Sequence, residues 1–170
     1  DTVVDVAVGA RLLAVAPDLD FVVRRGERDL ATHLHRTRLL GEGATLSETM
    51  ADIARAFGVH CKLLPMSDDP VRTIVETDAG DLPFQRYLVD RHAADAVTRI
   101  RYEGASAAKP APGVLEAIAD AEAVFIAPSN PIASIGPILA VPGVRNAIEQ
   151  TEAPCVAISP IIGGRSLQPP

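Results

Sequence analysis

Two polar loops, each joined to an apolar run, hold the first residue types suited to chemistry. The first loop occupies residues 127–139, reads A-P-S-N-P-I-A-S-I-G-P-I-L and follows the apolar run 123–126. The second occupies residues 159–164, reads S-P-I-I-G-G and closes the run 154–159. Loops beyond the carboxyl ends of parallel strands commonly bind ligands, and their free N–H groups and hydroxyls suit phosphate. The pattern predicts a nucleotide or phosphate crevice, with two ordinary crossover loops as an alternative of equal weight.

The elements around these loops alternate between helix and strand. Residues 112–121 and 142–149 have helical patterns, and each precedes one of the apolar runs. The run 123–126 reads as a buried strand. Such alternation is typical of a parallel sheet with helices packed on it.

Local signals define the elements further upstream. Residues 29–40 predict a helix that ends at Gly41, since glycine is the usual C-terminal cap. Thr45 and Glu48 form a capping box that opens a second helix. Residues 59–64 then read as a strand.

Residues 71–104 have a different pattern, because strand candidates follow one another without helices. These candidates are residues 71–77, 82–89 and 97–103. Successive strands predict an antiparallel patch, and residues 105–112, rich in Ala and Pro, read as a linker. The prediction is a single, partial α/β domain over residues 1–170, with a small antiparallel insertion at about 71–104.

Charged residues cluster just ahead of the helix at residues 29–40. Arg24 and Arg28 are placed to hold an anion, because a guanidinium matches phosphate bidentately, and Asp29 is placed to cap the helix or to hold Arg28. A solvated, charged turn with a helix cap is the commoner use of such residues. Thr32 and His33 follow one turn later, and a lone histidine is more often structural than catalytic.

Asp68 and Asp69 lie in the sequence M-S-D-D-P, after the predicted strand 59–64. Paired carboxylates suit Mg²⁺, which prefers oxygen ligands, and they equally suit capping of the turn before Pro70. We weigh these two interpretations evenly. No Walker loop, G-x-G-x-x-G or G-x-S-x-G motif is present, so no covalent machinery is visible and the catalytic residues stay unassigned.

The composition fits a globular protein. The 170 residues are 48% hydrophobic and 22% charged, with a net charge of −6. That charge argues against general nucleic-acid or membrane-surface binding, and no apolar run is long enough to span a bilayer.

Cys61 and Cys155 lack metal-type spacing, so we expect buried thiols in a cytoplasmic protein. Residues 3–15 are apolar and predict a helix.

Four motifs in order carry a family resemblance. They are G-E-R-D-L-A-T-H-L-H-R-T at residues 26–37, L-L-P-M-S-D-D-P-V-R-T at 63–73, the loop at 127–139, and S-P-I-I-G-G at 159–164. The chain resembles the 2-phospho-L-lactate transferase family of deazaflavin coenzyme (coenzyme F-420) biosynthesis, whose bacterial relatives are phosphoenolpyruvate transferases.

The resemblance implies a Rossmann-like α/β fold and a Mg²⁺-dependent transferase. The implied donor is a guanosine-diphosphate-activated phospholactate or phosphoenolpyruvate, and GMP is the leaving group. The implied acceptor is the ribityl hydroxyl of 7,8-didemethyl-8-hydroxy-5-deazariboflavin. Such chemistry relies on positioning and charge neutralisation, which agrees with the lack of a covalent nucleophile. A homodimer is expected because dimers are common for such folds.

The resemblance also suggests roles for residues. Arg24, two positions before the G-x-R-D motif, falls where the family has a basic residue that contacts the deazaflavin. The other implied substrate-binding residues are Arg28, Asp29, Thr32 and His33. The implied nucleotide-binding residues are Ser129, Asn130, Pro131, Ser134, Ile135 and Gly136, with Ser159 and Gly163.

The chain also departs from the family pattern. Glu27 replaces the usual Asp, and the Gly-rich phosphate loop and acidic metal motif are missing. Asp18 and Asp20 imitate that metal motif but lie too close to Gly26, so the metal role is not transferred to them. The expectation is a partial chain that is inactive alone.

Two alternatives to the transferase stay open. One is a non-catalytic, nucleotide-sugar-binding regulator of the related gluconeogenesis-factor family, and the other is a shortened paralogue with a structural role. The intact G-x-R-D-x-A-T-H and M-S-D-D-P segments favour the transferase. The choice between phospholactate and phosphoenolpyruvate also stays open.

Overall fold

A computed structural model describes residues 27–163, 165 and 166 of the chain. The helices are α1 (Glu27–Gly41), α2 (Leu46–Ala56), α3 (Phe84–Val89), α4 (Val114–Ala119), α5 (Gly136–Ala140) and α6 (Val144–Gln150). The strands are β1 (Arg72–Thr77), β2 (Gly80–Pro83), β3 (Val97–Glu103), β4 (Val124–Ile126), β5 (Cys155–Ala157), β6 (Ile161–Ile162) and β7 (Arg165–Ser166). The helix predicted at residues 3–15 lies outside the described residues.

The helices α1 and α2 form as the local signals predict. The Thr45 hydroxyl accepts the Glu48 N–H, and the Glu48 carboxylate accepts the Thr45 N–H at 2.8 Å, so both halves of the capping box are present. The two helices contact each other, and His35 Nε2 lies 2.7 Å from Asp52 Oδ2 across that contact.

The strand predicted at residues 59–64 is wrong, because this segment has no regular structure. Polar side chains follow Val59 in the sequence H-C-K, and residues 59–62 are exposed. Within the described part of the chain, no strand pairs with the segment to satisfy a ladder. Leu64 instead packs against the helical core.

The antiparallel sheet forms, with strand order β2-β1-β3. Its central strand carries Ile74 and Val75, which are 7% and 0% exposed. The strand predicted at residues 82–89 is only partly correct, because β2 ends at Pro83 and α3 follows. Proline has no N–H for the sheet ladder, and the apolar residues Phe84, Tyr87 and Leu88 recur at helical spacing.

Residues 105–112 are part of the core rather than a linker. A 3₁₀ turn, Ala105–Ala107, opens this segment, and three of its alanines are 3–4% exposed. Because these side chains are small, the segment packs closely against the helices of the core. The core cluster that it joins comprises Ala111, Val114, Ile118, Val141 and Val144.

The strands β4 and β5 pair in parallel, so the predicted α/β fold with parallel and antiparallel strands is confirmed. The burial predicted for residues 123–126 is only partly correct, because Phe125 is 62% exposed. Phe125 lies opposite Val156, which is 45% exposed. Paired residues share one sheet face, and that face is left open by the described elements.

Both cysteines, Cys61 and Cys155, are exposed, so the prediction of buried thiols is wrong. Cys61 lies in the irregular segment after α2, and Cys155 lies on β5, whose three residues are all exposed. Among residues 27–163, 165 and 166, no helix has the length and apolarity that crossing a bilayer requires.

Candidate functional site

The two polar loops leave the parallel strands β4 and β5 at the same end of the sheet. Ile158, just beyond β5, donates its N–H to the carbonyl of Ile126, the last residue of β4, at 3.0 Å. The loop containing Ser129 and the loop containing Ser159 therefore start side by side. This end is where open α/β sheets bind ligands.

The first loop folds around Asn130. We call residues 129–136 the SNP loop. The Asn130 Oδ1 accepts the N–H groups of Ile132 and Ala133, each at 2.9 Å, and so caps a single π-helical turn, Pro131–Ile135. Proline suits the first position of such a turn because it lacks the N–H that would stay unpaired. Isolated π turns are frequent at functional sites.

Polar groups of the SNP loop remain available to a ligand. Ser129 and Ser134 are half-buried, and within the described part of the chain neither hydroxyl hydrogen-bonds to protein. On the neighbouring loop, the Ser159 hydroxyl accepts the Ile161 N–H at 3.1 Å. Gly163 has a φ of +59° in the turn between β6 and β7, a conformation that glycine adopts without strain.

Tyr102, which the sequence analysis missed, reaches the SNP loop from β3. Its hydroxyl donates to the Ile132 carbonyl at 2.6 Å. Burial raises the pKa of the Tyr102 phenol, so the group stays protonated and able to donate. The chain has two tyrosines, but no motif marks this one.

The M-S-D-D-P segment uses its polar side chains for structure. We call residues 67–69 the SDD loop. Asp68 accepts the N–H of Ser47 at 2.7 Å and its hydroxyl at 3.0 Å, which attaches the loop to the start of α2. Asp69 accepts the Lys109 N–H at 2.9 Å, and the Ser67 hydroxyl donates to the Lys109 carbonyl at 2.6 Å. The loop therefore joins two segments that are distant from it in sequence, the start of α2 and the chain at Lys109.

The described residues do not make a magnesium site by themselves. Within that part of the chain, no three His, Cys, Asp or Glu side chains come together as metal ligands. Both oxygens of Asp68 already accept hydrogen bonds from Ser47. A metal role for Asp68 and Asp69 therefore stays a prediction from their paired carboxylates.

The acceptor candidates lie at the start of α1. Arg28 and Asp29 fall in its first turn, and Thr32 and His33, both half-buried, follow one turn later. Arg24 lies outside the described residues. The structure thus places four of the candidates on one helix and leaves their role as a prediction.

A family comparison agrees with these motifs. The model of the family described as "2-phospho-L-lactate transferase CofD" matches residues 14–168. The chain belongs to this family. The match spans most of the chain, from before α1 to beyond β7, and it confirms the resemblance that the four motifs predict.

Curated relatives from the CofD family match over most of this chain. A phosphoenolpyruvate transferase from Kitasatospora aureofaciens is 49% identical over 143 residues, covering 82% of this chain and 44% of the relative. A 2-phospho-L-lactate transferase from Methanopyrus kandleri is 42% identical over 153 residues, covering 89% of this chain and 49% of the relative. The chain therefore spans about half the length of the curated relatives it matches.

A solved structure of similar fold comes from Bacillus halodurans. This member of the UPF0052 family superposes with a TM-score of 0.62 at 23% identity, over 75% of this chain and 40% of that one. At this identity the likeness supports the α/β fold of the CofD-family chain.

Proposed function

We propose that the SNP loop binds the guanine nucleotide of an activated donor in a phospholactate or phosphoenolpyruvate transferase of coenzyme F-420 biosynthesis. The family membership supports the reaction class, and relatives bear both transferase names. The observation that carries the proposal is the Asn130-capped turn where β4 and β5 both end. Among the described residues, none hydrogen-bonds to the hydroxyls of Ser129 and Ser134. Hydroxyl and amide donors at such a strand end suit phosphate oxygens.

The proposed reaction makes one phosphodiester bond and breaks one phosphoanhydride bond. The ribityl hydroxyl of the deazaflavin attacks the phosphorus of the phospholactyl or phosphoenolpyruvyl group and loses its proton. The bond from that phosphorus to GMP breaks, and GMP leaves with the bonding electrons. The contribution of the SNP loop is to hold the nucleotide, because positioning dominates this chemistry.

The acceptor side of the proposal concerns α1 and the residues before it. We assign acceptor contacts to Arg24, Arg28, Asp29, Thr32 and His33 on the strength of their motif. A guanidinium hydrogen-bonds the polar edge of a flavin-like ring or stacks on its face. Magnesium dependence, a homodimer and a cytoplasmic location stay predictions from the resemblance.

Isothermal titration of GDP into the 170-residue chain tests the donor side. Asn130→Asp keeps an oxygen that caps the turn but places a negative charge beside phosphate, so we expect normal thermal stability and GDP binding weakened by more than tenfold. Asn130→Ala, in contrast, removes the oxygen that caps the turn, and this loss should lower the stability of the protein by about 1 kcal/mol. Asn146→Ala, at an exposed asparagine on α6, is the matched control. Wild-type GDP affinity in Asn130→Asp would exclude the loop from the nucleotide site.

A product assay with deazaflavin and activated donor tests the transferase itself. We expect Arg24→Ala, in a form of the protein that turns over, to raise the Michaelis constant for the deazaflavin more than that for the donor. The same assay tests the prediction that this chain is inactive alone. Tight GDP binding by a folded, longer form of the protein that gives no phosphodiester product would favour the non-catalytic regulator.

A further inference from the structure

The backbone of Ile132 is held from both sides. The Asn130 Oδ1 accepts its N–H at 2.9 Å, and the Tyr102 hydroxyl donates to its carbonyl at 2.6 Å. Ile132 is 51% exposed, so packing of its side chain contributes little to its position. These two hydrogen bonds therefore fix the backbone of Ile132 in the first turn of the SNP loop. One is local, and the other comes from a strand of the antiparallel sheet.

Gly136 provides the space that Tyr102 occupies. Its φ of −53° and ψ of −49° are ordinary helical values, so the backbone conformation does not require glycine. A Cβ at this position would overlap the Tyr102 hydroxyl oxygen and would lie 2.7 Å from the ring carbon Cζ. The glycine is therefore explained by the close approach of the tyrosine.

We propose that Tyr102 is a positioning residue for the nucleotide loop: by holding the Ile132 carbonyl it sets the π-helical turn that presents Asn130 and Ser134 to phosphate. The inference rests on the proposed nucleotide binding, because it concerns how that same loop is held. It assigns the antiparallel sheet a direct part in the donor site, since Tyr102 lies on β3.

The chain offers a matched pair of tyrosines for the test. Tyr87 also donates its hydroxyl to a backbone carbonyl, that of Ala93 at 3.2 Å, but this bond stays within residues 87–93. Tyr102→Phe keeps the ring and removes only the hydroxyl, and Tyr87→Phe does the same away from the loop. We expect GDP binding about threefold to tenfold weaker in Tyr102→Phe and unchanged within twofold in Tyr87→Phe.

Two further readouts separate positioning from general support of the fold. Amide hydrogen exchange over residues 132–136 should speed up in Tyr102→Phe, while exchange in α2 stays the same. The ³¹P resonance of bound GDP should move in Tyr102→Phe and stay in place in Tyr87→Phe. A loss of global stability alone would move neither signal selectively.

A double-mutant cycle tests the role of Gly136. Gly136→Ala should weaken GDP binding in the wild-type background, because the new methyl group and Tyr102 compete for one space. In a Tyr102→Ala background that competition is absent, so Gly136→Ala should have little further effect. Equal effects in both backgrounds would overturn the link between these two residues.

The outcomes also separate this inference from the proposed function. GDP binding by the wild type with unaltered affinity in Tyr102→Phe would overturn the positioning role and leave the nucleotide site standing, whatever the loop exchange shows. Failure of the wild type to bind GDP would overturn the proposed function. In that case, the rate of amide hydrogen exchange in the SNP loop of Tyr102→Phe would decide whether Tyr102 holds the turn.

Discussion

The SDD loop and the SNP loop are both short polar motifs, but they use their side chains in opposite ways. In the SDD loop, the Ser67 hydroxyl donates to the Lys109 carbonyl and accepts the Asp69 N–H, and Ser67 is 2% exposed. In the SNP loop, the Ser134 hydroxyl has no hydrogen-bond partner within the described part of the chain. Residue type alone does not separate a serine that holds the fold from one that is free to meet a ligand.

The difference follows from what surrounds each loop. The SDD loop lies between α2 and the core segment at residues 105–112, so backbone groups approach it from two sides. The SNP loop lies at the open end of two short strands, where the side chains of Tyr102 and Asn130 hydrogen-bond to its backbone. We therefore expect substitutions in the SDD loop to change stability and substitutions in the SNP loop to change binding.

The largest expected effect comes from exchanging the two serines for alanine. Ser67→Ala leaves the Asp69 N–H and the Lys109 carbonyl without their partner, and it should lower the free energy of unfolding by about 1–3 kcal/mol. Ser134→Ala should change it by less than about 0.5 kcal/mol. Urea denaturation measures both. A Ser134→Ala variant as destabilised as Ser67→Ala would erase the contrast between the loops.

A smaller effect is expected in acid. The Thr45 backbone N–H lowers the pKa of Glu48, and the hydrogen bond from His35 lowers the pKa of Asp52. The unfolded chain therefore binds these protons more readily than the folded chain. The stabilisation is complete above the ordinary carboxyl pKa values, about 4, and is lost as the pH falls through the lowered values.

The helix α2 carries Glu48 and Asp52 and is attached to the SDD loop through Ser47. Acid should therefore loosen α2 and the SDD loop at a higher pH than the SNP loop. Hydrogen exchange between about pH 5 and pH 3, corrected for intrinsic rates, measures this order. Glu48→Gln combined with Asp52→Asn keeps oxygen acceptors at both positions without titrating, and it should flatten the pH dependence. Simultaneous loosening of both loops would contradict the distinction.

The smallest expected effect concerns Asp69. Asparagine at this position still offers an oxygen to the Lys109 N–H, so Asp69→Asn should cost less than about 0.5 kcal/mol. If the role of Asp69 is structural, millimolar Mg²⁺ should shift the melting temperature of the wild type and of Asp69→Asn equally. Asp78→Asn, in the exposed turn after β1, is the control. A magnesium-dependent rise that only Asp69→Asn loses would identify the carboxylate as a metal ligand.

Sequence reasoning succeeds where the deciding interactions join residues that are close in sequence. The capping box at Thr45 and Glu48 is correct because its hydrogen bonds join residues three apart, and the helices at α1, α4 and α6 follow from similarly local patterns. The parallel pairing of β4 and β5 follows from helix–strand alternation. The family follows from motifs whose order survives in the chain, and the match over residues 14–168 confirms it.

Sequence reasoning fails where partners from elsewhere decide. Residues 59–64 have strand-like composition, yet no described strand pairs with them. Phe125 and Cys155 are exposed because burial depends on which layer covers a strand face, and apolar character does not specify that layer.

For this protein, the sequence by itself determined the family, the helix boundaries set by local caps and the position of both polar loops. Only the tertiary structure decided which loop holds the fold and which stays available to a ligand. The hydrogen bonds donated by Tyr102 to Ile132 and by Ser47 to Asp68 span 30 and 21 residues. The physical reason is that helix and turn hydrogen bonds join near neighbours in sequence, whereas such long-range bonds exist only once the chain has packed.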